Sequence, residues 1–164
     1  MSLARLYRGL LLAGVVLLPQ AAWSATTVSC TATATSIAFG VYNPLSTSVT
    51  PSTGTLQVTC SGKGTGSTNV TVGVSLSTGL SGSFSPRKMY SGTNTLSYNI
   101  YWSTAYSQIM GDGTGGSFAG TAGPFTVTAG GSNYATGAMY GAIPAQQDVA
   151  VGSYSDVITM TVTY

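Results

Sequence analysis

Apolar side chains in this chain recur at every second position, in short runs, and beyond the amino-terminal segment no stretch repeats them at helical spacing. An extended strand puts alternate side chains on opposite faces, so this period commits the chain to sheets. "TLQVTC" sets Leu56, Val58 and Cys60 on one face, "NVTVGVSL" does the same with Val70, Val72, Val74 and Leu76, and "TLSYNIYW" with Leu96, Tyr98, Ile100 and Trp102. "PFTVT" is a shorter strand carrying Phe125 and Val127. Between the runs lie "SGKGTGSTN", "SGTN", "GDGTGG" and "AGGSN", whose Gly, Ser, Asn and Asp residues supply the positive-φ positions of turns. A strand around Val28 to Phe39, a weaker one near Ala138 to Ile143 and the closing run bring the count to at most about seven, which predicts an all-β sandwich of immunoglobulin-like type.

The closing run, "YSDVITMTVTY", puts Ile158, Met160, Val162 and Tyr164 on one face and Thr159, Thr161 and Thr163 on the other. It has none of the Lys, Pro or bulge signals that blunt natural edge strands. Its composition is that of a strand with neighbours on both sides, yet no further run follows to pair with it. The sandwich is therefore predicted to be incomplete, lacking its final strand, with an acceptor groove along Ile158, Met160, Val162 and Tyr164.

The first residues belong to a different problem. "MSLARLYRGLLLAGVVLLPQAAWSA" has a basic start in Arg5 and Arg8, an apolar run from Leu10 to Leu18, a breaker at Pro19, and small residues at Ala22 and Ser24. This is the layout of a secretory signal, predicted over residues 1–24, with the mature domain over 25–164. Cleavage after Ala25 is the second choice, because it puts bulky Trp23 where a small residue is wanted. The competing reading, a membrane anchor, needs about 20 apolar residues, and Pro19 interrupts this run. No membrane span is expected.

Without that segment, Lys63, Arg87 and Lys88 stand against Asp112, Asp148 and Asp156, and the domain is nearly uncharged. Nucleic acid is excluded as a partner, since neutralising phosphates needs a concentrated Lys/Arg surface. Cys30 and Cys60 are the two cysteines, and in an exported chain pairing is the default. The alternatives are two thiols or a metal site, and a chain without His offers a metal too few ligands. No enzyme is predicted, and no cofactor: the chain has no His and no Glu, and Asp112 sits in a turn signature. Lys63 in "GKGTG" precedes the Gly run instead of ending it, contrary to the order of a phosphate-binding loop.

Candidates for contact with a ligand are few. Arg87 and Lys88 in "PRKMY" are the mature chain's adjacent charges, which read either as a contact to an anionic surface or as a solvated loop. Tyr98 and Trp102 share a strand face with Ile100 and read as core. Tyr106, Tyr134 and Tyr140 fall near loops and are candidates for binding.

Several stretches carry a resemblance to a known family: "FGVYNP" (Phe39 to Pro44), "GTLQVTC" (Gly54 to Cys60), "LSYNIY" (Leu96 to Tyr101), "GDG" (Gly111 to Gly113) and "YGAIPAQQDVAVGSYSD" (Tyr140 to Asp156). The chain resembles the spore coat protein U domain family, which includes the subunits of archaic, Csu-type chaperone-usher pili. It departs from the family pattern at Ala142, where an Arg is common, and at Met110, where a Trp is common. The resemblance implies an immunoglobulin-like subunit lacking its last strand, which a periplasmic chaperone or a neighbouring subunit lends. It also implies an outer-membrane usher as partner, docking of the Tyr164 carboxylate on the chaperone, and passage through the periplasm to the cell surface.

A shaft subunit of that kind carries a donor extension of about a dozen alternating residues before its first strand. Here cleavage after Ser24 leaves "ATTVS" ahead of Cys30, roughly 17 Å of extended chain. This predicts a protein that accepts a strand without donating one, as a tip or terminating subunit does. The alternative from another functional class is a standalone secreted adhesive, carbohydrate-binding or spore-coat-like matrix protein.

Overall fold

Burial follows the alternation of the sequence strand by strand. The computed structural model describes residues 25–164, so the signal expected over residues 1–24 lies outside the described residues. Ten strands appear among the described residues: β1 (Thr27–Ala34), β2 (Thr50–Lys63), β3 (Ser67–Leu76), β4 (Arg87–Ser91), β5 (Asn94–Tyr101), β6 (Ile109–Met110), β7 (Ser117–Phe118), β8 (Gly120–Thr128), β9 (Ser132–Ile143) and β10 (Met160–Thr163). In β2, Leu56, Val58 and Cys60 are buried while Thr55 and Gln57 are exposed; in β3, Val70, Val72, Val74 and Leu76 are buried.

These strands form two open sheets. The larger runs β1-β2-β9-β5-β6-β7, with β4 also paired to β5, and the smaller runs β10-β3-β8. Val58, Cys60, Tyr98, Ile100, Met139 and Ile143 from the larger sheet meet Val70, Val72, Val74, Leu76 and Val127 from the smaller to make the core. The architecture is an all-β sandwich whose sheets do not close on themselves.

Several elements differ from the sequence reading. The first strand ends at Ala34 instead of Phe39, and beyond it Ile37 and Phe39 turn inward. The weak stretch near Ala138 is the end of a twelve-residue strand, β9. Its first half faces the core with Ala135 and Gly137, too small to register as an apolar row, and Gly137 fits under the Leu56 side chain. The closing strand is shorter than expected, because Ile158 lies where the chain is still crossing between sheets.

The largest correction concerns Arg87. Expected with Lys88 in a ligand-contacting or solvated loop, it lies in β4 and is 0% exposed. Its guanidinium donates to the Ser77 carbonyl through Nε at 3.1 Å and Nη2 at 2.7 Å, to the Met110 carbonyl at 2.7 Å and to Asn99 Oδ1 at 2.9 Å, and it lies 4.9 Å from the centre of the Phe84 ring. Burial pulls its pKa below the usual arginine value, and the negative charges of Asp156 and Asp112 oppose that shift. Carbonyl dipoles and an aromatic face thus replace water around a buried cation, and they staple β4 to β5, β6 and the end of β3. Lys88, half-buried, pairs with Ser97 in β5.

Cys30 and Cys60 are directly opposite each other in the β1–β2 register and form a disulfide, with Cα atoms 4.0 Å apart. The bond ties an edge strand to the body of the sheet. Thiol titration of the denatured, unreduced chain should find no free thiol. Replacing both cysteines by Ala should lower the unfolding free energy in a urea titration by about 3–4 kcal/mol, the chain-entropy value for a loop of this separation.

Candidate functional site: a trench between two open strands

A trench opens where β1, at one end of the larger sheet, faces β10, at one end of the smaller. One wall carries half-buried Val28, Cys30 and Ala32 from β1, continued by Ile37 and Phe39. The other carries Tyr154, Ile158, Met160 and Val162. Toward the Ile158 end the trench deepens into a cleft of about 380 Å³, floored by Leu76, Met89, Tyr98, Ile100 and Met139. At the opposite end a second hollow is lined by Thr26, Val28, Thr68, Asn69, Val70, Thr71 and Tyr164.

Each wall has a local cause. After β1, the Thr35 N–H still donates to the Thr55 carbonyl at 2.9 Å, and Ser52 Oγ donates to the Ala38 carbonyl at 2.7 Å. Between and just past these anchors, Ile37 and Phe39 settle onto the inner faces of β2 and β9, where Gly54 and Gly141 leave room. A Cβ at Gly141 would lie 2.6 Å from Ile37 Cγ2 and 2.7 Å from Phe39 Cζ, and one at Gly54 would lie 2.9 Å from Ile37 Cγ1. Any larger residue there would push the wall into the trench.

The opposite wall is hung from two sheets in turn. Ser155 exchanges backbone hydrogen bonds with Tyr90 of β4, at 2.8 and 3.1 Å. Four residues on, the Thr159 carbonyl accepts the Ser77 N–H at 2.9 Å, and β10 then pairs with β3 from Met160↔Leu76 to Thr163↔Gly73. At the crossing, Asp156 accepts the Leu80 N–H at 2.8 Å, its neighbour Val157's N–H at 2.8 Å and the Tyr98 hydroxyl at 2.7 Å. Burial and the Asp156 carboxylate both push the Tyr98 phenol far above the ordinary tyrosine value, so it remains a neutral donor. The Tyr98 ring also meets Phe39 edge-on at 5.9 Å. One side chain therefore braces both walls.

The strand edges are unequal. β7 has two residues. β8 carries Pro124, which has no N–H to offer, and its pairing with β3 is broken by a register shift between Val70 and Val72. Both are features that blunt an edge. β1 and β10 carry no charge and no proline, and each has one paired side among the described residues. Their open sides face the trench.

Of the groove residues read from sequence, Ile158 and Met160 line the cleft, half-buried Val162 packs against the core and Tyr164, 60% exposed, borders the second hollow. Tyr106, Tyr134 and Tyr140 lie elsewhere. Tyr134 and Tyr140 belong to β9 instead of loops, and Tyr106 sits in a turn against Tyr101. Ile37, Phe39, Tyr98 and Asp156 were not anticipated as wall and brace. The sequence signal for the first two is the pair of glycines on inward positions of β2 and β9, which can be read once the β2–β9 register is known.

A family model described as Spore Coat Protein U domain matches residues 17–161. Among solved structures, the fold is similar to a chain in the CsuC–CsuE chaperone–tip adhesion subunit pre-assembly complex from archaic chaperone-usher Csu pili of Acinetobacter baumannii, with a TM-score of 0.55 and 20% identity. The likeness covers 84% of this chain and 40% of that one, so this chain spans less than half the length of that relative. No curated protein matches the sequence.

The Tyr98–Asp156 brace predicts a measurable coupling. In a double-mutant cycle of Tyr98→Phe and Asp156→Ala followed by urea unfolding, the two should couple by about 1–2 kcal/mol. The parent chain should also lose stability as pH rises past the ordinary tyrosine value of 10.0, because the unfolded phenol ionises while the folded one keeps its proton. Tyr98→Phe should flatten that decline.

Proposed function

This chain belongs to the Spore Coat Protein U domain family, and on that footing we propose that it is a structural subunit of a surface pilus assembled by a chaperone and an usher through strand donation. The observation that carries the reading is the trench: two unblunted strand edges facing each other across an apolar cleft. A strand laid between β1 and β10 would pair with the open side of β10 and place alternate side chains over Met160 and Ile158. Backbone hydrogen bonds would supply affinity and the cleft would supply specificity.

The partners that follow are a periplasmic chaperone, which fills the trench before assembly, an outer-membrane usher, and a neighbouring subunit that replaces the chaperone. The route is export under the segment at residues 1–24, with residues 25–164 as the mature domain. No helix among the described residues is long and apolar enough to cross a membrane.

Position in the fibre is a finer part of the same proposal. Residues from Thr27 onward pair with β2 starting at Thr27↔Lys63, and the disulfide fastens them there. They are committed to this domain's own sheet, so a donor strand would have to come from residues ahead of Thr27. With cleavage after Ser24 too little chain remains, which favours a tip or terminating subunit.

Produced in the periplasm without a chaperone, the chain should aggregate, swap strands or degrade, because an open edge with an apolar row templates pairing. Met160→Asp should abolish stable binding of chaperone and donor strand in co-purification. A soluble monomer of the parent chain, stable without chaperone or added strand, would sink the proposal. Mass spectrometry of the exported amino terminus, together with mixing against neighbouring subunits, tests the tip assignment. A mature start near Gln20 that fills another subunit's trench would overturn it.

A further inference from the structure

The outer face of the larger sheet is turned away from the trench and has a chemistry of its own. Residues directly opposed in antiparallel strands share a face, so β1, β2 and β9 present their outward side chains in rows. One row is Thr31, Thr59 and Tyr134, and the next is Thr33, Gln57 and Thr136. Along these three strands Lys63 is the single charged residue, and it lies at a corner. The rest of the face is hydroxyl, amide, methyl and aromatic.

Two aromatic stations bound this field. Tyr134 is 63% exposed. Tyr140, on the same face of the same strand, stands six residues further along, about 20 Å away at strand rise. Tyr140 is paired with Tyr101 of β5, and Tyr106 meets the Tyr101 ring edge-on at 5.3 Å. Tyr106 is a non-glycine residue with φ of 52°, its N–H donating to the Ser103 carbonyl at 3.2 Å. A bulky residue held at positive φ is uncommon and concentrates where a side chain must be presented.

We propose that this face binds an extended neutral polysaccharide. Tyrosine rings offer apolar faces to the C–H side of a sugar ring and a hydroxyl at the rim. Threonine and serine hydroxyls both donate and accept, as sugar hydroxyls do. An uncharged face matches an uncharged polymer and is less costly to desolvate than a charged one when its hydroxyls find partners on the sugar, whereas anionic glycans find one lysine. The spacing of the two stations suits several successive sugar units lying along β9. This inference is independent of whether the trench accepts a strand.

The test is a depletion isotherm of the full chain, in the assembled form in which it is isolated, on microcrystalline cellulose and on insoluble mannan, at low salt and in 1 M NaCl. Binding to at least one polymer, little changed by salt, is expected. Tyr134→Ala with Tyr140→Ala should weaken it by tenfold or more with an unchanged far-ultraviolet circular dichroism spectrum, and Tyr134→Ala alone, at an exposed position, should weaken it with an unchanged thermal midpoint. Thr136→Asp, between the stations, should weaken it as well. Absence of binding to both polymers, or binding untouched by these substitutions, overturns the proposal. So does sedimentation showing that the face is covered by a second copy of the chain, with the dimer lost in the same variants.

Discussion

The hydrogen bond from Tyr98 to Asp156 governs how the two sheets meet. Asp156 stands where the chain leaves the larger sheet at Ser155 and has yet to join the smaller one at Thr159. By holding the Leu80 N–H as well, it fixes the crossing, and with it the line that β10 takes along β3. Phe39 leans on the same tyrosine ring from the other side. Loss of that contact would let the walls of the trench drift together or apart, and the cleft has its shape because neither can.

A half-open sandwich must find part of its stability in the elements that frame the opening. Arg87 draws β4, β5, β6 and the end of β3 together through carbonyls of the chain itself, with no acidic partner hydrogen-bonded to it among the described residues, and its cross-strand neighbour is Tyr98. Past Ile143, Gln147 takes over from a strand: its side-chain amide accepts the Ser97 N–H at 2.8 Å and donates to the Ser97 carbonyl at 2.9 Å, extending the β5 ladder beyond the point where β9 ends. Tyr42 secures the same loop by accepting the Gln147 N–H and donating to the Pro144 carbonyl. The Arg87 cluster holds the elements from which the trench wall hangs, since Tyr90 of β4 bonds Ser155 and Ser77 bonds the Thr159 carbonyl.

What could be read in the sequence was what burial imposes locally. The rows Leu56–Val58–Cys60 and Val70–Val72–Val74–Leu76 were legible because a half-buried strand forces a two-residue period. The apolar row of the closing strand was legible for the same reason, and with it the expectation of a missing neighbour. Arg87 was not, because a charged residue reads as exposed until its acceptors are known, and Ser77, Asn99 and Met110 lie 10, 12 and 23 positions away. The seat of Ile37 and Phe39 was hidden for a related reason: it depends on Gly54 and Gly141 being brought onto neighbouring strands, two register positions apart, by a pairing between distant parts of the chain. Tyr134 and Tyr140 were singled out as loop residues because the small side chains between them mask a strand.

Thr26 and Tyr164 line the same hollow, so the first and last of the described strands open at one mouth of the trench. A segment continuing from Tyr164 through a tight turn would run back along β10, antiparallel to it. Closing so short a loop costs only the modest entropy of a few residues, while a strand arriving on a separate molecule must give up its free translation and rotation. Tethering therefore raises the effective concentration of a matching strand without adding a contact. The placement of the ends makes the occupancy of the trench a question of connectivity as much as of complementarity.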